Sequence, residues 1–150
     1  MDRKEKAVEY FKMGYNCSQA VLAAYCDLFD IDMRTALRIT EGFGGGMGRL
    51  RSVCGTVTAL FMLAGLKYSK AEPGDLETRA FVYKKIQELA GKFTEKNGSF
   101  ICGELLKGIQ LTPGAVPTKR DAEFYKKRPC IQYIKDSCEF AEEYLLNVHK

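Results

Sequence analysis

Helix-start signals recur along the whole of this chain, and no stretch alternates polar and apolar residues as a half-buried strand does. Asp2, Asn16, Asp32, Asp75, Ser99 and Asp121 each precede a segment whose apolar residues return every three or four positions. A short side chain that accepts a hydrogen bond from the first turn's N–H groups is what opens a helix. Helices are expected from Lys4 to Met13, Cys17 to Phe29, Met33 to Glu41, Ser52 to Leu66, and Asp75 to Glu95. A short one holds Cys102, Leu105 and Leu106, a brief turn follows Asp121, and a last helix, with Pro129 at its first position, runs through Cys130 to about Leu146. Gly14 and Asn97-Gly98 act as stops, and Asn16 with Gln19 has the form of a capping box. Gly42-Phe43-Gly44-Gly45-Gly46-Met47-Gly48 reads as a loop ahead of the central helix, and residues 112–117 as an extended connection. The expected fold is all-α: roughly six helices in one domain over residues 1–150.

Four of the six cysteines fall at those helix starts: Cys17, Cys54, Cys102 and Cys130. The first turn of a helix carries unpaired N–H groups and a partial positive charge, so a thiol there is expected to ionise more readily. The thiolate is the form that attacks disulfides and binds metals. In each context, Asn16-Cys17-Ser18, Val53-Cys54-Gly55, Ile101-Cys102-Gly103 and Pro129-Cys130-Ile131, a small or turn-forming residue adjoins the sulfur. Cys17 and Cys26 lie nine residues apart on one expected helix, roughly 13 Å along its axis, and Cys130 and Cys138 roughly 12 Å. Neither pair meets the roughly 7 Å Cα separation of a disulfide, so any sulfur pairing joins different helices. Cys26 and Cys138 sit deeper in their helices and read as fillers.

Other chemistries lack their residues. The only histidine is His149, which removes Cys/His and Ser-His-Asp catalysis and His-rich metal sites. No Cys-x-x-Cys is present, and the glycine loop has no Gly-Lys-Ser/Thr ending and no preceding strand. A net charge of +4 is too weak a signal for nucleic acid. The longest apolar stretch, Val53 to Leu66, is broken by Gly55, Thr56 and Thr58 and falls short of the roughly 20 residues of a membrane span. Met1 to Lys6 is charged and runs straight into a helical pattern, so a cytoplasmic location is the expectation. In that compartment cysteines more often serve as reactive or metal-binding thiols than as structural disulfides.

With these residues in view, the chain resembles the family of redox-active proteins named for the pattern C_GCAxxG_C_C. The segments that carry the likeness are Gly14-Tyr15-Asn16-Cys17-Ser18-Gln19-Ala20-Val21, and Phe43-Gly44-Gly45-Gly46-Met47-Gly48 with Cys54-Gly55-Thr56-Val57-Thr58-Ala59. Gly98 to Leu106 around Cys102 and then Pro129-Cys130 complete it. Thr56 stands where the family pattern has alanine, and Ala59 where it has glycine. The resemblance maps Cys17, Cys54, Cys102 and Cys130 onto the family's four cysteines and leaves Cys26 and Cys138 outside.

The first function these residues suggest is a redox or metal role, as an oxidoreductase or an electron-transfer component with a redox partner protein. Cys17, Cys54, Cys102 and Cys130 would supply thiolates, either as exchangeable disulfides or as ligands to an iron–sulfur cluster or Zn²⁺. Arg49 and Arg51 would offset their charge if they fold back. A second reading makes Gly44, Gly45, Gly46 and Gly48, with Arg49, a site for an anion or small cofactor; the plainer alternative is a hinge between helices. A third is a helical adaptor whose basic residues Lys119, Arg120, Lys126, Lys127 and Arg128 dock an acidic partner; the plainer alternative is a solvated face.

Overall fold

The computed structural model describes residues 1–146, so His149 lies outside the described residues. Its helices are α1 (Arg3–Lys12), α2 (Cys17–Tyr25), α3 (Met33–Thr40), the one-turn α4 (Gly44–Met47), α5 (Gly55–Tyr68), α6 (Leu76–Asn97), the short α7 (Cys102–Leu105), α8 (Ala122–Lys127) and α9 (Cys130–Tyr144). The fold is all-α, as the start signals imply. Asp2 with Glu5, and Asn16 with Gln19, close reciprocal capping boxes on α1 and α2. Asp32, Asp75 and Asp121 each accept a hydrogen bond from the third backbone N–H beyond them.

Helices α2 and α5 form the centre. Every residue of α2 from Ser18 to Tyr25 is buried, and α5 is buried from Gly55 through Leu60. A helix enclosed on all sides needs apolar or small residues around its circumference, which both sequences supply. Helices α1 and α3 pack on α2, α6 packs on α5, and α9 lies across α1, α2, α5 and α6. Leu22, Tyr25, Leu60, Leu63, Leu89, Ile134 and Leu145 fill the space between them. Cys26 and Cys138 belong to this core, as their depth in the sequence pattern implies. Buried hydroxyls pair across the helices: Ser18 with Thr58 at 3.2 Å, and Ser137 with Thr56 at 3.0 Å.

Three starts differ from expectation. The central helix begins at Gly55 rather than Ser52, because Val53 forms an isolated antiparallel bridge with Ile101. Ser99 does not cap α7 directly; its hydroxyl accepts from the Ile101 N–H, and Ile101 holds the N-cap position. Pro129 occupies the N-cap of α9, which leaves Cys130 as the first helical residue. Each of these shifts moves a cysteine closer to a helix end. Among the described residues no helix is long and apolar enough to cross a membrane.

Candidate functional site

Cys17 is the first residue of α2, Cys102 of α7 and Cys130 of α9, while Cys54 is the N-cap of α5. All four line one cavity of about 710 Å³. Cys54 and Cys102 are each 7% exposed, whereas Cys17 and Cys130 are half-buried. The Val53–Ile101 bridge sets two of them side by side: the Cys54 N–H donates to the Phe100 carbonyl at 2.9 Å, and the Cys102 N–H to the Ser52 carbonyl at 2.6 Å. Cys54 and Cys102 therefore occupy diagonal positions on one face of a minimal ribbon.

Glycines bring backbone up to the sulfurs. A Cβ on Gly55 would stand 2.5 Å from Cys17 Sγ, and one on Gly46 would stand 2.6 Å from the Cys102 Cβ and 2.7 Å from the Arg51 Cα. No real side chain fits at such separations. The loop itself runs left-handed from Gly45 through Arg49, with φ of 64, 73, 69, 62 and 63°, and Arg51 repeats the conformation at 60°. Met47, Arg49 and Arg51 adopt this region without being glycine, which costs roughly 1–2 kcal/mol each. Hydrogen bonds from Arg51 N–H to the Gly45 carbonyl and from Ser52 N–H to the Gly46 carbonyl hold the turn. Gly44, Gly45, Gly46, Gly48 and Arg49, expected as a separate binding loop, form a wall of the cysteine cavity. The Gly45 and Ser18 backbone N–H dipoles favour the charged form of the Cys17 sulfur.

The expected ease of ionisation is corrected by the geometry. Burial pushes the Cys17 and Cys54 thiols up and takes Cys130 up to about 12. Desolvation of the charged form outweighs the backbone N–H groups that would welcome it. Mutual repulsion adds to this: a charged Cys17 disfavours charge on Cys54 and on Cys130, and Cys102 acts the same way on Cys17 and Cys130. The four sulfurs are thus electrostatic neighbours in one site.

Positive charge surrounds them, from partly unexpected sources. Arg51 folds back, its Nη1 lying 3.8 Å from Cys102 Sγ. Arg49 instead binds the carbonyls of Thr112, Gly114 and Val116 and the hydroxyls of Thr112 and Thr118, pinning residues 112–118 beside the cavity. Arg120 and Arg128, read above as parts of an outward basic patch, line the cavity. Arg120 donates to the Phe11 and Tyr15 carbonyls and stacks 4.2 Å over the Phe11 ring; Arg128 stacks 4.6 Å over Phe124. Arg120 and Arg128 flank the short α8 from outside its ends, and both lie over the Phe124 ring. Lys127 does face outward, paired with Glu123. Among the described residues no group of three or more Cys, His, Asp or Glu side chains converges as a metal's coordination shell requires.

The family described as "Putative redox-active protein (C_GCAxxG_C_C)" matches residues 15–144, which include all four cavity cysteines. This chain belongs to the C_GCAxxG_C_C family. A protein of Archaeoglobus fulgidus, described as an uncharacterized protein, is 28% identical over 144 residues, covering 91% of this chain and 88% of its own. No solved structure matches. For a C_GCAxxG_C_C protein built this way, two-electron sulfur chemistry is what the cavity's donor set allows: two thiols can give up two protons and two electrons and join as a disulfide.

Proposed function

We propose that this C_GCAxxG_C_C protein is a thiol redox protein that exchanges electrons with a disulfide through Cys17, Cys54, Cys102 and Cys130. The observation that carries the reading is the gathering of these four helix-start cysteines in one open cavity. A cysteine at the cavity surface, Cys17 or Cys130, loses its proton and attacks one sulfur of the incoming disulfide. The disulfide bond breaks, the departing sulfur takes up a proton, and a mixed disulfide remains. A second cavity cysteine then displaces the remaining sulfur, closing a protein disulfide and releasing the second thiol. Gly45 and Ser18 N–H dipoles favour negative charge on Cys17, and the Arg51 guanidinium does the same for Cys102. High thiol pKa values make attack slow at neutral pH and make the resulting disulfide hard to reduce, since a basic thiolate is a poor leaving group.

Four thiolates beside several arginines also match the donors of a Zn²⁺ or iron–sulfur site, and Cys17, Cys54, Cys102 and Cys130 would be its ligands. The sulfurs would have to draw closer together to share one ion. The test is a redox titration of the reduced, metal-stripped protein against oxidised dithiothreitol, followed by mass spectrometry of the peptides. Disulfides joining members of the four, and absent from a Cys17→Ser, Cys130→Ser double variant, are the expected result. Four thiols that stay reduced while the anaerobically purified protein carries stoichiometric iron or zinc would replace this reading with the metal one.

A further inference from the structure

The charges that line the cavity are unbalanced. Among the described residues that line it, Lys12, Arg49, Arg51, Arg120 and Arg128 are met by one carboxylate, Glu41. Two of the guanidinium groups are already engaged: Arg49 holds residues 112–118, and Arg120 holds the carbonyls of Phe11 and Tyr15 at the C-terminal end of α1 and just beyond it. Arg51 and Arg128 keep donors free of any strong partner: Arg51 Nη1 makes only a 3.8 Å contact with Cys102 Sγ, and Arg128 stacks on Phe124. Among the described residues neither forms an ion pair with a carboxylate. Arg51 Nη2 is enclosed with no hydrogen-bond partner. Arg128 has one long contact, 3.5 Å to the Thr118 hydroxyl. An enclosed guanidinium donor left unpaired is costly, and a carboxylate is the partner its fork fits best.

The backbone fixes Arg51 in place. Its N–H and carbonyl are both bonded, to Gly45 and Gly103, and its left-handed φ is retained at an energetic cost. That cost aims one side chain past Cys102 into the cavity. Burial and the neighbouring Arg49 and Arg51 charges depress the Arg128 pKa, which is the electrostatics of a site short of an anion. Phe11, Phe124, Tyr125, Leu105 and Leu106 supply apolar wall beside these donors. A cavity of about 710 Å³ has the size of a small-molecule site.

We infer that the cavity binds a small carboxylate-bearing thiol or disulfide, with Arg51 and Arg128 taking the carboxylate and the cysteines facing its sulfur. This rests on the thiol redox reading for its chemistry, but the anion site rests on the arginines alone. The exchange is the one written above: the ligand's disulfide is reduced to two thiols as two cavity cysteines are oxidised.

Two measurements separate the site from the chemistry. The first is calorimetric titration of the reduced protein with S-methylglutathione, a thioether that carries carboxylates and cannot exchange. Binding is expected, weakened about tenfold or more in Arg51→Gln or Arg128→Gln, as loss of a charge-assisted hydrogen bond implies. Arg51→Lys, which keeps the charge, should recover part of the affinity and guards against a folding defect. No binding by the wild type, or equal binding by both glutamine variants, overturns the anion site. The second compares oxidation rates with three disulfides of different charge: glutathione disulfide, neutral hydroxyethyl disulfide and cationic cystamine. The anionic one should react fastest, and the order should flatten in Arg51→Gln and in high salt. An order that ignores charge overturns the assignment of Arg51 and Arg128 to the substrate. If S-methylglutathione binds as expected while no disulfide oxidises the protein, the anion site stands and the thiol redox reading falls.

Discussion

At the scale of single residues, one of the two positions that depart from the family pattern touches a cavity sulfur. Thr56 stands where the pattern has alanine, and it is fully buried. Its hydroxyl lies 3.3 Å from Cys54 Sγ and 3.0 Å from the Ser137 hydroxyl, so it links a cavity thiol to the core side of α9. The hydroxyl partly offsets the burial that raises the Cys54 thiol. Thr56→Ala is therefore expected to push that thiol higher still and to slow its alkylation at any pH below its titration. It also strips the Ser137 hydroxyl of this partner in a dry setting, costing about 1–3 kcal/mol in urea unfolding. Thr56→Ala with Ser137→Ala should recover much of the stability, because both halves of the pair are then apolar, while Cys54 stays slow. Peptide-resolved alkylation and unfolding curves read the two effects separately. An unchanged Cys54 rate in Thr56→Ala would show that the hydroxyl is only packing.

At the scale of elements, the helices were legible because their caps are local: Asp2, Asn16, Asp32, Asp75 and Asp121 act on N–H groups three residues away. The placement of Cys17 at the start of α2 was legible for the same reason, whereas α5, α7 and α9, at Cys54, Cys102 and Cys130, carry no side-chain cap. The start of α5 was not legible, because the Val53–Ile101 bridge spans almost fifty residues and leaves no local trace. Nor was the role of Arg128, whose direction depends on Phe124 stacking and on α8 docking over α1. Thiol ionisation was misjudged because a helix start is visible in sequence and the burial that outweighs it is not. The glycine loop shows the division within one element. Its composition announces a loop, but only the fold shows which glycines approach a sulfur. Gly48 has a left-handed φ of 62° and its nearest would-be contact is an ordinary 3.7 Å, so Gly48→Ala should cost only the conformational penalty, about 1–2 kcal/mol. Gly46→Ala adds an overlap with Cys102 and the Arg51 backbone, and should cost clearly more and expose Cys102 to alkylation. Equal unfolding midpoints for the two variants would mean that the loop does not press on the cysteine ribbon.

At the scale of the whole molecule, the buried thiols tie stability to pH. Folding raises the pKa of Cys17, Cys26, Cys54, Cys130 and Cys138, all through desolvation first. A group whose pKa is raised in the folded state holds its proton there after the unfolded chain has released it. Its contribution is complete below the unfolded thiol's value of about 8.5 and is lost as pH rises toward the folded value. Stability should therefore fall as pH rises above about 8.5, and on toward pH 12 through Cys130 and Cys138, with a slope of about 1.4 kcal/mol per pH unit for each thiol that is charged in the unfolded chain and still protonated in the folded one. Cys138 gives the cleanest measure, since it is fully buried and raised to about 12, away from the cavity and its arginines. Tyr25, Glu142, Lys4 and Glu139 are its charged or titratable neighbours; the carboxylates work against thiolate formation, while the Tyr25 hydroxyl and Lys4 ease it. Cys138→Ala leaves a small gap that lowers stability at every pH, but it removes one thiol from the titration, so its stability curve should be shallower than wild type above pH 8.5. Urea unfolding at half-unit pH steps reads that slope. A wild-type curve flat through this range would mean that the thiols are not held dry, and parallel curves for the two proteins would remove Cys138 from the linkage. The cavity behaves differently from the core in the same experiment. On the proposed redox reading, two cavity cysteines joined as a disulfide no longer titrate, so the oxidised protein should lose less stability in alkali than the reduced one, and the difference between their slopes counts the cysteines consumed.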